Sequence, residues 1–286
     1  MKGIILAGGT GSRLYPLTHA ISKQLIPVYD KPMIYYPLST LISLGIKDIL
    51  LISTKDSLPL FMKLLGDGKQ FGINIQFACQ DKPAGIAEAL IIGEQFINKD
   101  KVALILGDNI FISDSLNTNQ KNAFDLGAKI FLSKVKDPER YGVAKIENGE
   151  VSDIVEKPKS FISDFAVTGL YFYDFKSVQY SKSLKPSLRG ELEITDLNKI
   201  YLEKSEVHHS IFEENSAWLD AGTFSSLLDA SNLISSLQKR SGSLVGSPEI
   251  ASFKNGFISK NELIGVIKSK KGSKYFSILE KEILET

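Results

Sequence analysis

Four short runs, residues 3–7, 48–53, 74–78 and 102–106, are rich in Ile, Leu and Val and as a set lack strict polar and apolar alternation. A strand with one wet face alternates, whereas strands covered on both faces read as near-continuous apolar runs and belong to parallel sheets. Between these runs the apolar residues return at helical spacing, in Tyr35, Leu38, Leu41 and Ile42 and again in Ile86, Leu90, Gly93, Phe96 and Ile97. Strand then helix, repeated, predicts a doubly wound α/β sheet. Such a sheet takes its ligands beyond the carboxyl ends of its strands, so the loops after Ala7 and Leu106 are where chemistry is expected.

From about residue 127 the texture changes. Runs at 128–134, 142–146, 151–156 and 167–173 predict strands of a mixed extension, with turns at Asn148-Gly149 and Lys157-Pro158. A helix is predicted from Ile194 through Tyr201, with Glu191 and Glu193 placed to suit its N-terminus. Another is predicted on Phe224, Leu227, Leu228, Ser231, Ile234 and Leu237. The expected organisation is one α/β domain over 1–240, with a first part at about 1–126 and a second part at about 127–240. A small C-terminal subdomain over 241–286 follows, with an amphipathic helix near 277–284 and an expected role in oligomer contacts.

Composition removes several function classes. Lys and Arg total 34 against 33 Asp and Glu, a net charge of +1, so no global positive field exists to hold nucleic acid or an anionic membrane. One cysteine, Cys79, cannot form an intrachain disulfide, and with three histidines no zinc-type cluster can be written; Cys79 is expected in the core and His208-His209 at the surface. The N-terminal apolar run is too short for a signal peptide, and the longest uncharged stretch, 32–46, falls short of the roughly 20 residues of a membrane span. A soluble cytoplasmic protein is expected.

The first loop reads Leu6-Ala7-Gly8-Gly9-Thr10-Gly11-Ser12-Arg13-Leu14. Glycines after a buried strand let backbone N–H groups approach a phosphate, and a helix starting there would add favourable partial charge. Leu14 occupies the third-glycine position of a dinucleotide fingerprint, and no Lys-Ser or Lys-Thr stands at Walker A spacing. A glycine turn without a ligand is the alternative. Arg13 and Lys23 follow as phosphate-gripping cations, Arg as a bidentate fork and Lys as a point charge.

Asp108, in Gly107-Asp108-Asn109 just past a buried strand, suits Mg²⁺, which takes one or two carboxylates plus water and phosphate oxygens; an Asx-turn or cap residue is the equal alternative. Asp220, in Trp218-Leu219-Asp220-Ala221-Gly222-Thr223, is a second candidate ligand against a stronger reading as a helix cap. Glu156-Lys157-Pro158 would present a carboxylate for sugar hydroxyls beside an ammonium for a phosphate, or a plain surface pair. Tyr171, Phe172, Tyr173 and Trp218 read as core rather than as a sugar platform.

Together with Lys31-Pro32-Met33-Ile34-Tyr35-Tyr36-Pro37-Leu38, Asp137-Pro138-Glu139-Arg140-Tyr141-Gly142-Val143, Val167-Thr168-Gly169-Leu170-Tyr171 and Arg189-Gly190-Glu191-Leu192-Glu193-Ile194-Thr195-Asp196, these motifs span most of the chain. In this order they resemble the nucleotide-sugar pyrophosphorylases, in their glucose-1-phosphate thymidylyltransferase branch. The resemblance implies a Rossmann-like, mixed but mostly parallel sheet flanked by helices, the nucleotide-diphospho-sugar transferase fold, with a nucleotide part at about 1–126 and a sugar-binding part at about 127–240. It implies Mg²⁺-dependent transfer of a nucleotidyl group from dTTP to glucose 1-phosphate, giving dTDP-glucose and pyrophosphate, in a homotetramer that feeds deoxysugar synthesis for surface polysaccharides.

Carried over by position, the resemblance assigns Gly8, Gly9 and Gly11 to the nucleotide loop and Arg13 and Lys23 to the triphosphate. Gln24 and the loop from Gln80 to Gly85 would face the base. Asp108 and Asp220 would share the metal, Lys157 would bind the sugar phosphate, and Asn109, Gly142, Glu156 and Val167 the glucose. The match departs at Glu88 and Ala221, where the family pattern has Gln and Thr. A UTP-using or other hexose-1-phosphate enzyme, a non-catalytic nucleotide-sugar subunit and a nicotinamide-dependent oxidoreductase are the alternatives. Retention of every charged motif counts against the second, and Leu14 against the third.

Overall fold

The structure, a computed structural model, describes residues 1–270 and 272–285. Its strands are β1 (Lys2–Ala7), β2 (Pro27–Val28), β3 (Lys31–Pro32), β4 (Asp48–Ser53), β5 (Asn74–Cys79), β6 (Val102–Leu106), β7 (Asn109–Ile112), β8 (Ala128–Lys134), β9 (Gly142–Glu147), β10 (Glu150–Glu156), β11 (Phe165–Tyr173), β12 (Val207–Ile211) and β13 (Ala217–Asp220). A nine-stranded sheet runs β10-β9-β11-β6-β1-β4-β5, with β8 and β12 branching from β11. Strands β6, β1, β4 and β5 are parallel, and β11 is antiparallel to β6. The missing alternation in β1 has a direct cause: Ile4 and Ile5 are both fully buried, and they belong to separate apolar clusters.

Strand β11 positions the site because one of its edges serves two partners. Its C-terminal part pairs with β6, from Leu170 opposite Ile105 to Tyr173 opposite Val102, while Ala166 pairs with Val143 of β9 on the same edge. Strand β8 occupies the other edge, with a register shift between Val167 and Tyr171. Strand β6 therefore stops at Leu106 before β9 begins, and a gap opens beside Gly169. Beyond it β7 and β13 form a separate two-stranded ladder, with Asp220 opposite Asn109.

Several expectations are corrected. The glycine loop leads not into a full helix but into one 3-10 turn, Ser12–Leu14, after which Tyr15 is extended. Pro16 disfavours helical backbone at the residue before it, which ends the turn. The helical period from Ile86 to Ile97 is split into Glu88–Ile92 and Glu94–Ile97 at Gly93. A Cβ on Gly93 would lie 2.7 Å from Ile4 Cδ1, so the break sits where the chain presses on the sheet. Glu193 precedes the helix Ile194–Glu203 without capping it, because its carboxylate accepts hydrogen bonds from Arg189 and Ser187. Cys79 is exposed, at the end of edge strand β5.

The C-terminal segment is more helical than the sequence reading foresaw. Pro248–Lys254 and Lys260–Ser269 precede the last helix, Lys274–Glu285. Leu244, Ile250, Ile258, Leu263, Ile267, Leu279 and Ile283 form its apolar cluster. Helix Pro248–Lys254 packs on helix Tyr35–Ser43. The buried Lys31 ammonium joins the two regions, donating to Asp30 at 2.5 Å, Gln238 Oε1 at 3.2 Å and the Val245 carbonyl at 3.0 Å. Among the described residues no helix is long and apolar enough to cross a membrane.

Candidate active site

A cavity of about 170 Å³ opens at the gap beside Gly169. Eight of the residues singled out from sequence line it: Arg13, Asp108, Asn109, Gly142, Glu156, Lys157, Val167 and Asp220. Gly8, Gly9, Gly11, Lys23, Gln24, Gln80 and Gly85 do not line it: the first three form the neighbouring glycine loop, Gln24 and Gln80 pack on that loop, and Gly85 packs on Leu192. The two groups are tied together by the Lys23 ammonium, which binds the Asp108 carboxylate.

Asp108 and Asp220 come together through the β7–β13 ladder, where the Ala221 N–H donates to the Asp108 carbonyl at 3.0 Å. Neither is a helix cap. Asp108 leads into a strand, and helix Phe224–Ser241 is capped by Thr223, whose hydroxyl accepts from the Ser226 N–H. Burial pushes the Asp108 carboxyl up, but the charge and hydrogen bond of Lys23 outweigh it and hold the group below the usual range. Burial and then the neighbouring Asp108 charge push the Asp220 carboxyl up. Two close carboxylates, one ionised readily and one reluctantly, form a donor set that a divalent cation would relieve.

Asn109 is a hub of the cavity wall. It is 3% exposed, and its Oδ1 accepts from the Gly169 N–H at 3.1 Å and from Trp218 Nε1 at 2.6 Å. Its Nδ2 donates to Asp108 Oδ1 at 3.2 Å. Glu156 Oε2 accepts from the Thr195 hydroxyl at 2.7 Å, and its other oxygen lies 3.6 Å from both Lys157 Nζ and Arg189 Nη2. Lys157 has a left-handed backbone, φ 43°, and its N–H donates to the Tyr141 carbonyl at 2.9 Å. This kink leaves the Lys157 side chain half-exposed at the cavity.

Beyond the cavity the glycine loop is crowded by glutamines. Gln24 Nε2 donates to the Gly8 carbonyl at 3.4 Å, and a Cβ on Gly8 would fall 2.2 Å from Gln80 Oε1. Gly11, at φ 62°, packs on Thr18, while Gly9 is exposed with φ 95°. Gly85, at φ 108°, abuts the Leu192 backbone, where a Cβ would fall 2.3 Å from the carbonyl oxygen. The Leu192 N–H donates to the Ala84 carbonyl at 2.7 Å, pinning the loop that carries Gly85 to the segment before helix Ile194–Glu203.

The family model for nucleotidyl transferases matches residues 2–236. The chain belongs to the nucleotidyl transferase family. Among its relatives is the glucose-1-phosphate thymidylyltransferase of Xanthomonas campestris, 52% identical over 265 residues that cover 92% of this chain and 90% of the relative. That of Mycolicibacterium smegmatis is 46% identical and covers 99% of this chain and 100% of its own. A Bacillus anthracis protein assigned as a glucose-1-phosphate thymidylyltransferase, solved with sucrose, superposes with a TM-score of 0.77 at 46% identity, covering 82% of this chain and 94% of that one. A UDP-glucose pyrophosphorylase complexed with UDP-glucose shares the fold at 23% identity, with a TM-score of 0.73 and coverage of 82% and 98%.

This nucleotidyltransferase places further residues at the site to which sequence reading gave no role. Arg140 lines the cavity, with Nη2 3.9 Å from Asp220 Oδ2, and stacks on Tyr141. Trp218, read as core, instead is half-buried and lines the cavity, and it meets Tyr141 with ring centroids 5.0 Å apart. Its indole N–H needs a partner, and the β7–β13 register brings Asn109 to the same face. Tyr171 is buried yet reaches the lining, whereas Phe172 and Tyr173 are fully core. Thr195, Arg189 and Glu88 matter through what they hold; the first two lay inside a recognised motif that carried no individual assignment.

Proposed function

We propose that this nucleotidyltransferase makes dTDP-glucose and pyrophosphate from dTTP and glucose 1-phosphate. The observation that carries the reading is the junction of two anion-ready regions, the glycine loop with Arg13 and Lys23 and the cavity with Lys157, at the Asp108–Asp220 pair. The identities of 46–52% to glucose-1-phosphate thymidylyltransferases support the substrate pair. In this reading Gly8, Gly9 and Gly11 line the nucleotide, Gln24, Gln80 and Gly85 face its base, and Asn109, Gly142, Glu156 and Val167 hold the glucose.

The nucleophile is an oxygen of the sugar phosphate, whose second pKa near 6 leaves it ionised at neutral pH, so no general base is needed. It attacks the α-phosphorus in line; the bond from α-phosphorus to the bridging oxygen breaks, and pyrophosphate leaves with that electron pair. The barrier is repulsion between two anions, and such transfer is catalysed mainly by positioning and electrostatics. A cation about 4 Å from a phosphate oxygen contributes on the order of 4 kcal/mol at an effective dielectric near 20, before desolvation. Lys157 meets the sugar phosphate, and Arg13 and Lys23 the triphosphate. Asp108 and Asp220 would hold Mg²⁺, and their all-oxygen, two-carboxylate character fits it. When bound, that ion neutralises phosphate charge and draws electron density from phosphorus. The same reading carries cytoplasmic residence, a homotetramer and a C-terminal subdomain over 241–286 that contributes to its contacts.

Steady-state kinetics of Lys157→Ala and Asp220→Asn test this. Lys157→Ala should raise KM for glucose 1-phosphate about tenfold or more with little change for dTTP, and Asp220→Asn should lose most turnover while folded. Unchanged constants for both substrates in both variants, with Mg²⁺ present, would overturn the assignment.

A further inference from the structure

Gln80 is 2% exposed, and its side-chain amide sits between two fixed groups. Its Nε2 donates to Glu88 Oε2 at 2.6 Å, and the same carboxylate oxygen accepts from the Ala84 N–H at 3.3 Å. Its Oε1 lies over Gly8, where a Cβ would be only 2.2 Å away, and among the described residues it accepts no hydrogen bond. A carboxylate is an acceptor only, so the amide has one permitted orientation: nitrogen toward Glu88, oxygen toward the glycine loop. An amide left without such a partner turns over freely and offers either face.

We propose that Glu88 is a specificity-determining positioning residue, which locks Gln80 so that the nucleotide loop meets a hydrogen-bond acceptor and selects a pyrimidine with an imide N3–H. This rests on the reading above that Gln80 faces the base. Thymine and uracil carry that donor at N3, whereas cytosine presents an acceptor there and is repelled by a fixed carbonyl oxygen. Glu88 does not touch the base; it acts through Gln80 and, by way of the Ala84 N–H, through the loop that carries Gly85. The methyl group of thymine lies outside this device, so the lock sorts dTTP and UTP together against dCTP.

The test is the ratio of kcat/KM for dTTP to that for dCTP, measured with glucose 1-phosphate and Mg²⁺, alongside melting temperature. Glu88→Leu removes the acceptor and should lower the ratio about tenfold or more, mainly by relaxing rejection of dCTP. Glu88→Gln, whose amide oxygen still accepts from Nε2, should keep the ratio within about threefold. If Glu88→Leu does not fold, Glu88→Lys carries the same test, since a donor-only partner turns the amide around. Equal losses on both triphosphates with an unchanged ratio would make Glu88 merely structural and overturn the proposal. Gln80→Ala separates the two layers. Loss of the ratio there with retention in Glu88→Leu overturns the lock alone, and retention in both overturns the placement of the base as well.

Discussion

Replacing Asn109 by alanine removes one oxygen that serves two donors, the buried Gly169 N–H and the part-buried Trp218 Nε1. An unsatisfied buried donor costs about 1–3 kcal/mol, so the pair would cost about 2–6 kcal/mol. The adjoining cavity is polar and can admit a water to re-satisfy part of this, which places the expected loss near the low end, about 2–3 kcal/mol. Equilibrium urea unfolding of Asn109→Ala should show that loss with an unchanged m-value. In a Trp218→Phe background one donor is already gone, so the same substitution should cost about 1 kcal/mol less. A loss below about 0.5 kcal/mol, or equal losses in the two backgrounds, would refute the claim that Asn109 holds β11 and β13 together across the site.

Gly8→Ala places a methyl group against Gln80 Oε1 and should raise KM for dTTP several-fold while KM for glucose 1-phosphate changes little; initial-rate kinetics with each substrate varied checks this. A pH effect is expected at Glu249, which is 2% exposed and whose carboxyl is pushed up by burial despite hydrogen bonds from Tyr275 and Ser247. With its folded pKa raised, the protein binds that proton more tightly folded than unfolded. This contribution is full below the ordinary glutamate range and is lost as pH rises through the raised value. Unfolding free energies should therefore shift in favour of Glu249→Gln over the parent protein as pH rises from about 4 to about 7, and no shift, or the opposite one, would count against it.

The parallel half of the sheet was legible because Ile4 and Ile5 are both buried, and that double burial is what an unalternating run records. The approach of Asp108 to Asp220 was not legible from spacing. Strands β7 and β13 are four residues each, far apart in the chain and joined by no hairpin, so nothing local announces their pairing. Resemblance placed both carboxylates at one metal without showing the ladder that joins them. Trp218 was misjudged because burial alone does not reveal where an indole N–H points. The helices Pro248–Lys254 and Lys260–Ser269 did carry signals, Ser247-Pro248 and the Ser259/Glu262 capping box, which the polar texture of the segment obscured. Gly93 could have been an interior helical residue or a break, and only contact with Ile4 decides it.

The central claim is tested most directly by identifying the products formed when the protein is incubated with Mg²⁺, glucose 1-phosphate and dTTP labelled at the α-phosphorus, with UTP and other hexose 1-phosphates in parallel. The expected result is label in dTDP-glucose, with unlabelled pyrophosphate released in equal amount. Label recovered only in dTMP or dTDP, or no reaction with any pairing of triphosphate and sugar phosphate, would contradict it.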